Sequence, residues 1–398
     1  MRNLMEYANQ NTGVQPLHPI SSELTRWLTE KALPVWFTCG VDLAKGECFE
    51  AIDLIDQKPT KDPRRARVVP RQIYSFLEGA KLGWEGPADE VATSLFDWYL
   101  QNYLTKSGYF ASAVDIENKI VDDTFDLYNQ AFALFCFANV ASHLPARKAE
   151  ATEQAANLVN FLVEHYKHRE GGFREANPDR RPLCSNPHMH LFEACLAWED
   201  TSDDPIWAEL ADEIAELALN SFIDPVSGGL REFFDLDWTP LPGDRGRIME
   251  PGHQFEWAWL LCRWGRSRQD AAAIIASRRL YDIGWTYGID ENRGVTFMAL
   301  NDDFTVQNSL ARLWGQTEWI KAAIALTEVS GGAERAAYFT DIPAAVSALR
   351  IYLDKAPDGL YLDKMDPAGS FADEPAPASS LYHIVCAVSE LDRFTGGS

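Results

Sequence analysis

The sequence is poor in several things that would point elsewhere. Basic residues are outnumbered, 36 Lys and Arg against 59 Asp and Glu, for a net charge of −23. Nucleic acid or an anionic membrane surface as partner needs a basic footprint, so both are excluded as expectations. No apolar run reaches the 18 residues of a membrane span, and the opening MRNLMEYANQNTGVQP has no hydrophobic core of the kind found in a secretory leader. The seven cysteines include no C-x-x-C pair, which suits thiols kept reduced in a cytoplasm. Gly-rich phosphate loops of the Walker or dinucleotide type are missing, so no nucleotide cofactor is expected. No Pro/Ser-rich linker divides the chain either, so residues 1–398 read as one domain. A cytoplasmic location follows as the expectation, and a homodimer is left open.

Apolar residues make up 46% of the chain and aromatics 12%, with 13 Trp, enough for a large core. A short element recurs through it, one or two glycines followed by an aromatic or aliphatic residue: Gly46-Glu-Cys-Phe-Glu50, Gly108-Tyr-Phe-Ala111, Gly171-Gly-Phe-Arg-Glu175, Gly228-Gly-Leu-Arg-Glu232, Gly294-Val-Thr-Phe297 and Gly359-Leu-Tyr-Leu-Asp363. From Gly46 through Gly108, Gly172, Gly229, Gly294 and Gly359 the intervals are 62, 64, 57, 65 and 65 residues. A fixed period of this size marks a repeat architecture. Helical patterns lie between the elements, at 21–37, 70–84, 88–104, 124–142, 148–166, 186–199, 204–221, 252–267, 269–286, 308–328, 340–354 and 379–394. Six helix pairs with a short hairpin each describe an all-α (α/α)6 barrel. The more apolar helices, those following each glycine element, should form the inner ring. Their N-terminal ends then surround one mouth, where a pocket is expected.

Polar residues crowd those N-terminal turns. They are Arg71, Tyr128 and Gln130, Asn186, His188 and His190, His253 and Glu256, Gln316 and Glu318, and Tyr382 and His383. One buried histidine is ordinary, but six polar clusters at one phase of a repeat are not, because buried charge is costly unless paired. Met189 beside them reads as barrel filling or as a sugar contact. His188 and His190 point about 200° apart on a helix of 3.6 residues per turn, so they cannot share a metal ion. No tight ligand motif is present, and no metal is expected. Paired carboxylates such as Glu256 and Glu318 would suit a glycosidase. Histidine dominates, however, and its unperturbed pKa of about 6.5 suits reversible proton transfer. Two histidines and an arginine fit proton abstraction beside a carbonyl, with the cation stabilising an enediolate. Aromatic residues near the mouth (Tyr109, Tyr128, Trp257, Trp314, Trp319) would pack sugar faces.

In Asn186-Pro-His-Met-His-Leu-Phe-Glu-Ala194, Pro251-Gly-His-Gln-Phe-Glu-Trp257, Gln316-Thr-Glu318 and Leu381-Tyr-His383 the chain resembles the N-acylglucosamine 2-epimerase superfamily of sugar epimerases and aldose–ketose isomerases. The resemblance covers essentially the whole chain. It implies the (α/α)6 barrel and a metal-independent reaction on the open-chain aldehyde of mannose- or glucosamine-type sugars. By the same resemblance His383 exchanges the C2 proton and His253 is its partner acid/base. His190 assists ring opening, Arg71 holds the enediolate oxygens, and Glu256 orients the neighbouring imidazole. Asn186, Tyr109, Met189, Gln316, Glu318 and Trp319 are the expected sugar contacts. Members place an aromatic residue and a Gln shortly before that arginine, where this chain has Val68-Val-Pro70.

The wording SNPHMHLFEA and SSLYHI is more similar to mannose isomerases and mannose-6-phosphate-isomerase-like members than to the N-acetylglucosamine enzymes. A D-mannose/D-fructose isomerase is the expectation; a 2-epimerase and a mannose-6-phosphate isomerase stand as alternatives. From other classes, a glycoside hydrolase or a sugar-binding barrel remains. The basic run Lys58 to Arg67 could take a sugar phosphate but reads as a solvated loop.

Overall fold

A computed structural model describes residues 17–396. Twelve helical units alternate between two rings. The outer set comprises α1 (His18–Trp27, continued through a π-helical turn Leu28–Ala32 into Leu33–Cys39), α3 (Ala88–Tyr103), α5 (Lys148–Tyr166), α7 (Pro205–Leu217, ending in a π-helical turn Ala218–Phe222), α9 (Ala271–Tyr287) and α11 (Gly332–Leu353). The inner set comprises α2 (Val68–Lys81), α4 (Leu127–His143), α6 (Ser185–Glu199), α8 (Pro251–Arg268), α10 (Leu313–Val329) and α12 (Ala378–Thr395).

Composition sorts the helices into rings. In α5 the buried residues Ala151, Ala155, Leu158, Val159, Leu162 and Tyr166 form one stripe at helical spacing, the mark of a half-covered surface helix. In α4 every residue from Asn129 through Ala141 is buried, so that helix is enclosed on all sides. Each inner helix packs on the next inner helix, and α12 packs back on α2, which closes the ring. Five outer helices pack on the inner helix preceding them in sequence; α1 packs on α12.

The glycine elements turn the chain at one end of the barrel. At Gly172 φ is +71°, and a side-chain carbon there would lie 2.7 Å from His188 Nε2, so both backbone and space require glycine. In the fourth repeat Gly228 takes the left-handed conformation rather than Gly229, from which the period was counted. Side chains on the first turns of the inner helices latch these loops. Gln130 Oε1 accepts from Phe110 N at 2.8 Å, Gln254 Oε1 from Leu230 N at 2.8 Å, Gln316 Oε1 from Thr296 N at 3.1 Å, and His188 Nε2 from Phe173 N at 2.9 Å. Between repeats, the segment entering an inner helix pairs antiparallel with the segment leaving the next glycine turn. Arg64–Arg65 pairs with Ala113–Val114, Leu183–Cys184 with Phe233–Phe234, Ala311–Arg312 with Lys364–Met365, and Ala376–Pro377 with Ala51–Ile52.

Two helix boundaries differ from expectation. Residues 308–312 lie in and between short strands, because Ala311 and Arg312 join the ladder from the next repeat, so α10 starts at Leu313. Helix α11 starts at Gly332, eight residues before its expected start, and runs through Pro343. The Gly331-Gly332 pair reads as a loop and Pro as a breaker; the helix's first turn is exposed, and buried Tyr338, Ile342 and Ala345 seat it on the barrel on both sides of Pro343.

Candidate active site

The first turns of the inner helices enclose a cavity of about 430 Å³. It is lined by Arg71 from α2, Asn186 and His190 from α6, His253 and Glu256 from α8, and His383 from α12, with Trp314 from α10 among them. Six of the residues expected at the site are therefore brought together. Asn186 Oδ1 is buried and has no hydrogen-bond partner, which leaves an acceptor free for a ligand.

Three buried imidazoles are each fixed through Nδ1 by a carboxylate. His383 Nδ1 is 2.9 Å from Glu318 Oε1, His253 Nδ1 is 2.9 Å from Glu232 Oε2, and His190 Nδ1 is 3.2 Å from Glu193 Oε2. A carboxylate on Nδ1 puts the hydrogen there and leaves Nε2 for proton transfer. The indole of Trp314 lies beside two of these imidazoles, with ring centroids 5.0 Å from His253 and 6.1 Å from His383. Arg71 donates to Tyr128 Oη and, at 3.3 Å, to the Ser379 carbonyl. Its guanidinium also lies 4.2 Å from the Phe132 ring centroid. It makes no carboxylate ion pair among the described residues, and its Nε is unpartnered, so its charge is available to an anion in the cavity.

Charge separates the histidines. Burial opposes a charge on His253, but Glu232 and Glu250 outweigh it and push its pKa up to about 10. Burial lowers His383 well below the usual range, and the cations Arg71 and Lys321 add to that. His190 is lowered to about 4 by burial, against the pull of Glu193. Glu256 is raised well above the ordinary carboxylate range by burial and by Glu318, which makes it a neutral acid. These shifts favour a neutral imidazole at His383 and an imidazolium at His253. Titratable groups driven apart in this way are suited to base and acid chemistry.

Several sequence expectations are corrected. Glu256 does not orient His253: its carboxylate lies 4.0 Å from His190 Nδ1, and His253 turns to Glu232 on the glycine hairpin and to Glu250 at 3.6 Å. Glu318 is not a sugar contact but sits fully buried behind His383. Gln316 is consumed by its loop latch. Met189 is core. Trp319 Nε1 donates to Tyr281 Oη on the outer helix α9, and Trp257 packs on Phe192 and Phe222. Tyr109 lies outside the cavity, its hydroxyl on the Asp123 carbonyl and its ring on Phe161.

Glu232 was the main omission, although the repeat marks it: four residues beyond the loop glycines Gly46, Gly228 and Gly359 stand Glu50, Glu232 and Asp363. These bond Arg65, His253 and Arg312 respectively. Two ligand sets, His190–Glu193–Glu256 and Glu256–Glu318–His383, bring their donor atoms within 4.8 Å of one another and are the residues that could hold a metal. An ammonium already lies among them, with Lys321 Nζ 2.5 Å from Glu318 Oε2 and 4.0 Å from Glu256 Oε1.

Comparison with known proteins agrees with this geometry. The sequence profile of the N-acylglucosamine 2-epimerase family matches residues 48–387. A mannose-6-phosphate isomerase of Rhizobium meliloti (strain 1021) is 48% identical over 378 residues, covering 94% of this chain and 97% of the relative. A crystal structure of a D-mannose isomerase superposes with a TM-score of 0.85 at 18% identity, covering 96% of this chain and all of the other. The cellobiose 2-epimerase from Bacillus thermoamylovorans B4167 gives 0.83 at 15% identity, covering 94% and 100%. With its barrel, its paired imidazoles and these relatives, the chain belongs to the N-acylglucosamine 2-epimerase family and is an isomerase.

Proposed function

We propose that the protein interconverts a mannose-configured aldose and its 2-ketose, as D-mannose and D-fructose, through a cis-enediolate. The observation that carries this reading is the pair of buried imidazoles beside Trp314, each held through Nδ1 by a glutamate at 2.9 Å. Glu256 and His190 act on the cyclic sugar: the neutral acid of Glu256 donates to the ring oxygen, His190 Nε2 takes the anomeric hydroxyl proton, and the C1–ring-oxygen bond breaks to leave the open-chain aldehyde. His383 Nε2 then takes the C2 proton. Arg71 balances the charge that develops on the two adjacent oxygens, between which the remaining hydroxyl proton shifts. His253 delivers a proton to C1 to give the ketose. Delivery to the opposite face of C2 instead would give the epimer, so the same groups serve either outcome. The substrate is a small monosaccharide, and the reaction is placed in the cytoplasm, where free thiols persist.

Mannose, fructose, glucose and N-acetylmannosamine incubated in D2O and followed by NMR test it. Deuterium at C2 of mannose and C1 of fructose is the expected result. Absence of exchange with every sugar would overturn the reading.

A second reading, with a 6-phosphate on the same sugar, is supported by Arg65 and Arg67, which line the same cavity. Arg65 is held by Glu50 with its side chain 44% exposed, and the Arg67–Asp126 contact is loose at 3.4 Å. The Rhizobium meliloti relative bears the corresponding name. Turnover of mannose 6-phosphate with none of mannose, weakened by Arg67→Ala in KM rather than kcat, would select it.

A further inference from the structure

Beneath the cavity lies a charge that the mechanism above does not use. Lys321 is fully buried on α10, one turn beyond Glu318. Its Nζ is 2.5 Å from Glu318 Oε2, while Glu318 Oε1 is the atom that binds His383 Nδ1. The two oxygens of one carboxylate are thus divided between an ammonium and the imidazole read as the base. The ammonium also lies 4.0 Å from Glu256 Oε1 and 4.0 Å over the Trp259 ring. Glu193 and His190 face this place from α6, Glu256 from α8, and Tyr382, His383 and Cys386 from α12. Three buried carboxyl groups therefore surround one fixed cation.

We propose that Lys321 is a positioning residue that keeps Glu318 ionised and so holds His383 as the Nδ1–H tautomer, with Nε2 free toward the cavity. This rests on reading His383 as the base. The physical cause is the high cost of an unpaired carboxylate away from water, which proton uptake relieves. Without the ammonium Glu318 binds a proton. A protonated Glu318 donates to Nδ1, and the single hydrogen of the neutral imidazole moves to Nε2. The lone pair that should take the substrate proton then points at Glu318. The lysine touches no substrate and acts only through this hydrogen bond.

The test uses the full chain carrying Lys321→Met, with Lys321→Gln as a second variant that keeps a donor toward Glu318. Each is read by kcat and KM across pH on the sugar that the wild type turns over, and by 15N NMR of labelled histidine. At neutral pH kcat should fall by about tenfold or more, a part of the roughly 10²–10⁴-fold that general-base catalysis contributes. KM should stay near the wild-type value, because Lys321 lies outside the cavity lining. Activity should recover as pH rises and Glu318 gives up its proton, and the His383 signal should move from Nδ1–H to Nε2–H. In a Glu318→Gln background Lys321→Met should add no further loss, since effects that run through one partner are not additive. An unchanged pH profile overturns the proposal, as does a uniform loss with the Nδ1–H signal intact, or a double variant whose losses multiply. Should neither variant fold, wild-type enzyme showing Nε2–H on His383 at neutral pH overturns it and Nδ1–H supports it. Full activity in His383→Ala would instead sink the reading of the site itself.

Discussion

His253 and His383 differ in charge although their immediate settings match. Both are nearly buried, both meet a glutamate through Nδ1 at 2.9 Å, and both lie beside Trp314. The carboxylate partner fixes the tautomer in each, but the charges gathered around the two rings differ in sign. His253 has Glu232 and Glu250 around it; His383 has Arg71 and Lys321. One barrel thereby drives the pKa of the same side chain in opposite directions.

The sharpest way to break the comparison is to remove either ring. His383→Ala and His253→Ala should each lower kcat by about a thousandfold or more while circular dichroism stays that of the wild type, since each role is indispensable to the proton cycle. Unfolding of both variants would return these histidines to a packing role. Arg71→Met should cost about a hundredfold in kcat, the scale of losing one charged donor to a developing oxyanion. A change confined to KM would remove Arg71 from the transition state.

Wild-type activity should hold from the weakly acidic range upward, because His383 is already neutral there. It should fall as pH rises through about 10, where His253 loses its proton. Glu232→Gln removes an anion beside that imidazolium, lowers its pKa and moves the alkaline limb toward neutrality; Glu318→Gln should leave the limb in place. Equal shifts in both variants would mean that the two dyads do not differ as described. The smallest effect belongs to Trp319→Phe, which loses the bond to Tyr281 on the far side of α10. It should leave kcat and KM unchanged and cost about 1 kcal/mol in denaturant titration.

Spacing alone carried the ring of twelve helices and the convergence of Arg71, Asn186, His190, His253, Glu256 and His383. A long period and a common phase are properties that sequence displays directly. What it hid was direction. The stretch Gln316-Thr-Glu-Trp319 reads as one polar patch, yet each residue turns about 100° from the last. Gln316 therefore serves a loop, Glu318 an imidazole, and Trp319 the outer ring. The His253–Glu256 spacing suggested a dyad on one helix, but the partner came from a hairpin 21 residues away, and that contact has no helical signature. Tyr109 shows the same limit: proximity to the mouth in sequence did not place it inside.

The packing of α1 on α12 has a consequence for how the chain can be rearranged. The last described inner helix takes as its outer partner the first described helix, and Ala376–Pro377 pairs with Ala51–Ile52, so the ring has no structural first repeat. Joining the two ends and reopening the chain at a glycine hairpin of another repeat would keep every helix pair and every inner contact. The chain is linear, but its contacts form a circular order whose starting point is arbitrary.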